Sequence, residues 1–461
     1  MPSAPAAHRS LWLTESLGGE PASPRLEASI RADVCIVGGG YVGLWTALCI
    51  TELEPGCDVV VLEKDVCGGG ASGRNGGFVL TWWPKIETLV SLCGDAEALR
   101  MARESERAVG EIDAFCRTHG IDAHFVRGGW LWSATNSAQI GSWNAVLRTC
   151  ARLGAEPFRR LDPREVAKRS GSPVHLAGVV EGACATVQPA ALARGLRRVA
   201  LERGVRIYEG TRAQTFSRSQ PAEIRTESGR VRADALVIAN GAWAASIREL
   251  ARRVVVVSSD IVATEPIPGL LAEIGWGDGI SITDSQLRVH YYRTTRDGRI
   301  AFGKGGGQLA FGGAIGDSFD RSEERAAGAA ADFYRFYPML RRARITHDWS
   351  GPVDRTPNAF PTIGHLPGHP NIVHGVGWSG HGVGPSWLGG RILASLALRR
   401  RDEWSGSGVV GRSMGRFPPE PIRYVGGRIV RAAVVRKEAA EEAGRTPGRL
   451  DTVLAGLAPH G

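Results

Sequence analysis

Three glycines, Gly38, Gly40 and Gly43, follow the spacing G-x-G-x-x-G, which suits a backbone turn that binds a diphosphate. The first allows a tight turn, the second lets the backbone approach phosphates without a Cβ in the way, and the third lets the next helix lie close to the preceding strand. Free N–H groups and the dipole at the helix start favour an anion. The expected chemistry is dinucleotide binding.

An acid follows at the distance that such a turn requires. A strand over 58–62 ends at Glu63, twenty positions after Gly43, where a carboxylate accepts hydrogen bonds from both ribose hydroxyls and repels a 2′-phosphate. Because a strand at 34–37, the glycines, a helix at 41–50, the second strand and the acid occur in register, the pattern predicts a Rossmann-like unit rather than an accidental loop.

A second glycine-rich stretch, GGGASGRNGG at 68–77, comes directly after that acid. So many glycines together with Ser72, Arg74 and Asn75 suit a backbone wrapped closely around a ligand, whereas a free surface loop has no need of them. Two such turns in succession point to FAD.

The bulk composition is that of a globular protein large enough for two domains. The chain has 461 residues, 43% hydrophobic and 22% charged. Its net charge of +9 comes mainly from arginines spread along the chain, so it indicates a pocket that attracts anions at least as well as a nucleic-acid surface, and no nucleic-acid partner is expected.

The cysteines and the termini indicate a reduced, cytoplasmic protein. All eight cysteines lie in the first 184 residues without C-x-x-C pairs or regular spacing, so neither a metal site nor a disulfide framework is expected. The start of the chain lacks the pattern of a signal peptide, and no apolar stretch is long enough to predict a membrane span.

Periodicity and turn residues predict the remaining elements. The predicted helices are 95–119, 190–203, 323–340, 387–398 and a basic helix, 428–442. The predicted strands are 123–135, 205–208, 235–239 and 372–382, and 254–311 favours a mostly antiparallel sheet. Trp130 and Trp132 fall on one face of a strand, where they could line a pocket, but paired tryptophans in a sheet favour the core, and we expect them there. Ile429, Val430, Ala433 and Val434 of the basic helix would suit a membrane surface, but we expect them to pack against the body.

These elements predict an α/β fold with an FAD-binding Rossmann-like domain of the glutathione-reductase type and an interleaved substrate domain of antiparallel-sheet α+β type. The predicted FAD-binding domain is discontinuous and comprises 1–95, 176–250 and 346–411. The predicted substrate domain comprises 96–175 and 251–345, and 412–461 forms a basic helical extension.

The chain resembles the D-amino-acid oxidase superfamily of FAD-dependent amine oxidoreductases, and within it the gamma-glutamylputrescine oxidase-like and aminophosphonate oxidoreductases. The resemblance covers nearly the whole chain. It rests on VGGGYVGLWTA with Glu63-Lys64, on GASGRNGG, on QPAALARGLRRVALERGVRIYEGT, on LVIANGAW and on NIVHGVGWSGHGVG.

The resemblance implies a role for each matched position. Gly38, Gly40 and Gly43 would hold the pyrophosphate, Glu63 the ribose and Lys64 the adenine side. Further cofactor positions are Ser72, Arg74, Asn75 and Gly76 along the pyrophosphate and flavin, Ala213 near the adenine, Gly241 at a phosphate-side turn, and Trp378, Gly380 and Gly382 beside the flavin carbonyls. Backbone N–H groups and a helix start there would stabilise the negative charge that grows on the flavin during reduction.

Two departures from that family matter. Relatives of the sarcosine oxidase type tie FAD to a cysteine near a T-P-D segment, whereas GPVDRTPN has Gly351 there and no cysteine follows Cys184, so non-covalent FAD is implied. Those relatives also carry a lysine that promotes the reaction with oxygen. Our alignment puts Ala301 at that position, with Lys304 just after the glycine, so rapid use of oxygen does not follow from the resemblance.

Amine oxidation requires hydride transfer to the flavin N5 from the carbon beside a neutral nitrogen, and the resulting imine is hydrolysed to an aldehyde or oxo acid. The protein must position the amine in a dry pocket and hold its far end. Candidates in LRVHYYR are Arg288, Tyr291, Tyr292 and Arg293, and strand alternation puts Tyr291 and Arg293 on one face.

His290 and His381 are candidate proton acceptors, although a lone histidine also suits a structural role. The predicted catalytic set is Tyr291, Arg293, Lys304 and His381.

The predicted substrate is a small amine with an anionic far end, a gamma-glutamylputrescine-like amine first, with oxygen or another electron acceptor. An aminoalkylphosphonate such as 2-aminoethylphosphonate is the alternative in the same chemistry. From other classes, an RNA-modifying flavoenzyme and a flavin-binding interaction protein without turnover stay open; RNA binding with steep salt dependence would support the former.

Overall fold

The structure is a computed structural model that describes residues 8–18, 21–412 and 415–459. Within those residues the chain forms twelve α-helices and eighteen strands. The helices are α1 (Leu11–Ser16), α2 (Tyr41–Leu53), α3 (Ile86–Cys93), α4 (Asp95–Thr118), α5 (Asn144–Arg152), α6 (Pro163–Ser170), α7 (Pro189–Glu202), α8 (Pro268–Glu273), α9 (Glu323–Phe336), α10 (Ser386–Ala397), α11 (Ile422–Glu442) and α12 (Arg449–Ala455). The strands are β1 (Ser29–Val37), β2 (Val59–Leu62), β3 (Phe78–Val79), β4 (Trp130–Ala134), β5 (Phe158–Leu161), β6 (Ala177–Glu181), β7 (Ala185–Thr186), β8 (Arg206–Tyr208), β9 (Thr215–Phe216), β10 (Ala222–Arg225), β11 (Arg230–Ile238), β12 (Val255–Thr264), β13 (Ser281–Thr283), β14 (His290–Thr294), β15 (Ile300–Lys304), β16 (Ile345–Arg355), β17 (Thr362–Leu366) and β18 (His369–Val376).

The first sheet has the strand order β17-β18-β11-β1-β2-β8, with β10 and β9 added beside the first half of β11. Its central pairs are parallel, and only the edge strands β17, β10 and β9 run antiparallel to their neighbours. Parallel strands are covered on both faces, and β2 is accordingly apolar at every position. The carboxyl ends of β1, β2, β11 and β18 therefore meet at one edge, which is where ligands bind in open α/β sheets.

The helix after the first glycine turn is enclosed on all sides. α2 packs between the sheet, α7 and α10, and its residues from Tyr41 to Ile50 are buried. Such a helix has no polar face, in contrast to a surface helix. This enclosure fixes the start of α2 at the edge of the sheet.

The second sheet has the order β16-β12-β15-β14-β13-β4-β6-β5 and is antiparallel except for the β13·β4 pair. One face packs against α9 through an aromatic cluster, in which Tyr292 and Phe302 stack with ring centroids 5.0 Å apart and Phe336 contacts both. The opposite face is directed towards the strand ends of the first sheet.

The predicted fold class, an α/β chain with a Rossmann-like parallel sheet and an antiparallel second sheet, is confirmed. The predicted C-terminal helix starts too late, because α11 begins at Ile422 rather than at 428. Gly426 and Gly427 lower helix propensity there, but a Cβ on Gly427 would lie 2.6 Å from Leu309 Cδ2, so a packing contact accounts for that glycine.

The domain division stays a prediction, and strand pairing suggests one refinement of it. β6 and β16 pair within the second sheet, although 176–250 and 346–411 were assigned to the FAD-binding domain. Short connections along the chain do not reveal which sheet a strand joins, because pairing is decided by distant partners.

Within the described ranges, none of the helices combines the length and the apolar character needed to cross a membrane.

Candidate active site

One cavity of about 850 Å³ lies between the carboxyl ends of the parallel strands and the second sheet. Cofactor and ligand sites typically occupy about 300–1,000 Å³. Thirteen of the predicted cofactor positions line it: Gly38, Gly40, Glu63, Lys64, Ser72, Arg74, Asn75, Gly76, Ala213, Gly241, Trp378, Gly380 and Gly382. The sequence motifs on which the family resemblance rests therefore surround one cavity, although they lie far apart in the chain.

The first glycine turn is packed too tightly for side chains. A Cβ on Gly38 would lie 2.5 Å from the carbonyl oxygen of Ala239, and a Cβ on Gly43 would lie 1.9 Å from that of Gly38. Gly43 does not line the cavity, and its place is the contact between α2 and the turn. At Gly40 the nearest atom is the hydroxyl of Ser72, which accepts a hydrogen bond of 3.0 Å from the Tyr41 N–H. The helix start is thus open towards the cavity and polar.

Glu63 lies at the end of β2, as the fingerprint predicts. Its carboxylate accepts hydrogen bonds from the Gly39 and Asp65 N–H groups at 2.8 and 2.9 Å. Burial raises the pKa of Glu63, and these two donors oppose the rise. Beside it, the Lys64 ammonium lies 3.8 Å from the ring centre of Trp243, a cation–π contact. This end of the cavity has the acid and the flat apolar surface that a ribose and a base require.

The second glycine-rich loop is folded by its own polar side chains. Arg74 donates to the carbonyl oxygens of Gly69 and Ser350 at 3.0 and 3.1 Å and pairs with Asp320 at 2.7 Å. Asn75 donates to two carbonyls of the preceding turn and accepts from the Gly77 N–H at 2.7 Å. These side chains hold the backbone in place along the cavity wall.

The cavity fits FAD by an observation independent of the motifs. Asn240, at the end of β11, lines the cavity, and its Oδ1 is a buried acceptor without a hydrogen-bond partner among the described residues. A buried acceptor without a donor costs about 1–3 kcal/mol, so a hydroxyl-bearing ligand is expected beside it. The residues that would hold FAD are the glycine turn and Glu63 at the nucleotide end and Trp378 to Gly382 at the other.

The turn from β18 into α10 forms that other end. The Gly377 N–H donates to the Asp354 carboxylate at 2.5 Å, and burial raises the pKa of Asp354 to about 6. Ser379 adopts φ of 55°, which is uncommon for a residue with a Cβ and costs of order 1–3 kcal/mol. Non-glycine residues hold such a backbone mainly at functional sites, which agrees with the predicted position beside the flavin carbonyls.

His381 lies in the same turn and lines the cavity. Burial first, and then the charge of Lys85, lower its pKa to about 4, so the ring is neutral near pH 7. Its Nε2 lies 2.5 Å from the carbonyl oxygen of Thr81. A carbonyl only accepts, so Nε2 carries the proton and Nδ1 is left with a lone pair. Nδ1 is therefore a hydrogen-bond acceptor, but a ring with a pKa near 4 is a weak base, and the catalytic role of His381 stays a prediction.

Tyr291 also lines the cavity, and its hydroxyl lies 2.8 Å from the Ser259 hydroxyl. Arg293 shares the predicted strand face but does not reach the cavity. Its guanidinium donates to the carbonyl oxygens of Gly76, Val187 and Thr294 at 2.7, 2.6 and 3.1 Å. Arg293 therefore joins the second sheet to the glycine-rich loop. The carbonyl oxygens that it binds take the positions that the oxygens of a substrate anion would need.

Lys304 is likewise absent from the cavity wall, because its ammonium pairs with Asp332. Asp332 in turn accepts from His290, whose other ring nitrogen lies 2.6 Å from Asp284. His290 is fully buried in this chain of charges and is not available as a proton acceptor. Arg288 and Tyr292 do not line the cavity either.

Several residues of the cavity wall were not predicted as site residues, and four of them bear on the chemistry. Trp130 and Trp132, expected in the core, stack with centroids 5.6 Å apart and form part of the wall. Lys85 and Arg355 also line it. The available signal for Lys85 was a single cation in the apolar run FVLTWWPKIETLV; Arg355 had no distinguishing pattern.

Arg355 differs from Arg74 and Arg293, whose guanidinium groups have protein partners. Its guanidinium has no hydrogen bond or ion pair with any residue in the described part of the chain, the residue is half-buried, and burial lowers its pKa. Lys85 is close enough to be affected by its charge, and burial together with that repulsion lowers the pKa of Lys85 to about 7. Two cations therefore share one part of the cavity wall.

A family model described as FAD dependent oxidoreductase matches residues 33–396. Gamma-glutamylputrescine oxidoreductase of Escherichia coli K12 is 29% identical over 84% of this chain and 89% of its own length. A probable oxidoreductase, OrdL, of Rhizobium meliloti 1021 is 30% identical over 85% and 89%. The crystal structure of glycine oxidase from Geobacillus kaustophilus shares the fold with a TM-score of 0.69 at 22% identity, over 84% of this chain and all of that one.

Proposed function

The chain belongs to the DAO family of FAD-dependent oxidoreductases, which act on carbon–nitrogen bonds of amines and amino acids, and we propose that its substrate is a primary amine whose far end is anionic. Gamma-glutamylputrescine is the leading candidate, because a relative named for that substrate aligns over most of both chains.

One observation carries this proposal, namely the unpartnered guanidinium of Arg355 in the cavity wall. Even a half-buried charge loses part of its hydration, and proteins retain such a charge where a ligand supplies the opposite charge. A carboxylate can accept two parallel hydrogen bonds from a guanidinium. Arg355, with Lys85 beside it, thus takes the role that sequence analysis gave to Arg293.

FAD, when bound, accepts the hydride from the carbon beside the amine nitrogen. The residues of this chain prepare that carbon. Trp130 and Trp132 supply apolar wall that excludes water, which favours the neutral amine over the ammonium. His381, neutral and with a lone pair on Nδ1, accepts a hydrogen bond from the amine; with a pKa near 4 it is too weak a base to take a proton from an ammonium, which loses that proton to solvent on entering. Arg355 fixes the far end and so orients the reacting carbon.

The test is anaerobic reduction of the flavin in the purified holoenzyme by a panel of amines. The panel is gamma-glutamylputrescine, putrescine, butylamine and 2-aminoethylphosphonate. We expect gamma-glutamylputrescine to give the highest ratio of reduction rate to dissociation constant, because putrescine and butylamine lack the anion. Admitting oxygen afterwards times reoxidation and separates an oxidase from a dehydrogenase.

Two results would count against the proposal. If putrescine or butylamine reduces the flavin as efficiently as gamma-glutamylputrescine, the far-end anion has no role. If 2-aminoethylphosphonate is the best substrate, the anion is a phosphonate close to the amine, and the aminophosphonate alternative replaces the first candidate.

A further inference from the structure

The C-terminal segment 415–459 lies beyond the region that the family model matches, which ends at residue 396. It contains α11 and α12, which pack against each other, and α11 also contacts two loops of the cavity wall. These loops are 285–289, between β13 and β14, and 305–309, after β15. Both connect strands of the second sheet, on the opposite side of the cavity from the glycine turn.

Two acids of α11 hold the first loop. Glu438 is 5% exposed, and its carboxylate accepts a hydrogen bond of 2.9 Å from the Arg288 N–H. Glu442 accepts from the Gln286 side-chain amide at 2.7 Å and from Arg335 at 3.1 Å. Residues 286, 287 and 289 of the same loop line the cavity. The extension therefore fixes the outer side of a loop whose inner side faces the ligand.

The second loop is held in the same way. Arg431 donates to the Gly306 carbonyl oxygen at 2.9 Å, and Gly427 leaves room for the side chain of Leu309. Gly305 and Gly306 line the cavity. A glycine-rich loop has little rigidity of its own, so an outside brace decides where its backbone lies.

The chain then returns to the cavity itself. Pro459, which follows α12, is one of the residues that line it. Leu457, two positions earlier, is 68% exposed and is not part of the wall.

The inner end of the first loop is anchored independently. Asp284 accepts from the His290 backbone N–H at 2.9 Å and pairs with its ring at 2.6 Å, and His290 continues to Asp332 and Lys304. With one side tied to a buried chain of charges and the other to α11, the loop is fixed from both directions. A wall held in this way limits the size of a ligand instead of yielding to it.

We propose that the C-terminal segment is the outer wall of the amine-binding end and sets the longest substrate that the enzyme accepts. Glu438 and Glu442 are positioning residues, and Pro459 is a contact residue. The assignment of this end to the amine rests on the proposed function, but the wall itself does not.

The experiment narrows the cavity at one position and uses a neighbouring position as the control. Pro459→Trp enlarges a residue of the wall, whereas Leu457→Trp makes a comparable change on the exposed surface. Straight-chain carboxylates from acetate to octanoate are titrated into each holoenzyme and followed by the change in flavin absorbance, which needs no turnover. Steady-state KM and kcat for butylamine and gamma-glutamylputrescine are measured alongside.

For Pro459→Trp we expect the dissociation constant of the longest carboxylates, and the KM of gamma-glutamylputrescine, to rise by about tenfold, a typical effect of pocket shape. Acetate binding should change much less than octanoate binding, and every value in Leu457→Trp should be unchanged. If the two variants show the same dependence on chain length, the proposal is wrong. The proposed function fails by a different result, in which no amine reduces the wild-type flavin while the carboxylates still report on the wall.

A second pair of variants tests the brace. Glu438→Leu removes the acceptor of the Arg288 N–H, whereas Glu441→Leu, on the same helix, removes only a contact with Lys437. We expect Glu438→Leu to flatten the dependence of binding on chain length, because the loop can yield, and Glu441→Leu to leave it intact. A uniform loss of activity for short and long ligands in Glu438→Leu would mean that Glu438 serves stability alone.

Discussion

The two ends of the cavity differ in how their charges are balanced. At the nucleotide end, Glu63 already accepts two backbone hydrogen bonds and Arg74 already has two carbonyl oxygens and a carboxylate as partners. At the substrate end, Arg355 has no partner among the described residues, and it lies near a second cation, Lys85.

This difference follows from what each end must bind. A backbone cradle recognises a diphosphate through its shape and N–H groups, so its side chains can be satisfied before the ligand arrives. A substrate must leave after each turnover. It is better bound by a charged side chain that contacts solvent in the free protein and the substrate in the complex, although such an unpaired charge lowers the stability of the free protein. The charged side chains of the nucleotide end are therefore balanced without a ligand, whereas the guanidinium of Arg355 at the substrate end is not.

The largest expected effect would break the nucleotide end. Gly43→Ala places a Cβ 1.9 Å from the Gly38 carbonyl oxygen. Alanine favours a helix interior by about 1 kcal/mol over glycine, but overpacking against backbone costs about 1–3 kcal/mol or more and displaces α2 from the turn. We expect the purified variant to contain almost no flavin, measured as the ratio of flavin to protein absorbance.

The matched control is Gly56→Ala, because a Cβ on Gly56 meets no atom within 4 Å. It should keep its full flavin content. If Gly43→Ala also kept it, the close contact between α2 and the turn would not be needed for cofactor binding.

The next effect contrasts a half-buried arginine of the cavity wall, Arg355, with a buried arginine outside it, Arg293. Arg355→Met should raise the KM for gamma-glutamylputrescine by roughly 10- to 150-fold, since hydrogen bonds to charged groups contribute about 1.5–3 kcal/mol. It should leave the free energy of unfolding unchanged or increase it, because an unpaired charge is removed from the interior.

Arg293→Met should do the reverse. It leaves three carbonyl oxygens without their donor, at about 1–3 kcal/mol for each one that stays buried, while the KM changes little. Denaturant unfolding and steady-state kinetics of both variants check the contrast. Equal losses of stability in the two variants would show that Arg355 has partners of its own.

These arginines also show what the sequence can and cannot predict. The nucleotide end was predictable because Gly38 and Glu63 lie within one β-α-β segment, where spacing alone fixes geometry. Strand alternation correctly put Tyr291 and Arg293 on one face. It does not predict that the guanidinium of Arg293 binds the Gly76 carbonyl oxygen and so does not reach the cavity. Lys85 and Arg355 are about 270 residues apart, and they come to one cavity wall only in the folded chain, where the start of α3 and the end of β16 meet the same cavity.

The smallest expected effect sharpens the comparison by titrating the substrate end. Burial, and next the charge of Arg355, lower the pKa of Lys85 to about 7, so its charge is lost as the pH rises through about 7. The unfolded chain keeps that proton up to its ordinary pKa, and it therefore binds more protons than the folded chain between pH values of about 7 and 10.5, where stability rises with pH.

An anionic substrate loses one partner over the same range. We expect the KM of gamma-glutamylputrescine, divided by that of butylamine to cancel the ionisation of the amine, to rise about tenfold, which corresponds to about 1.4 kcal/mol. Lys85→Met should make this ratio independent of pH.

His381 has a pKa near 4 and does not titrate in this window, whereas Glu181, whose pKa burial raises to about 8, does. A pH dependence that persists in Lys85→Met would therefore assign the effect to Glu181 and leave the substrate end with one permanent cation, Arg355.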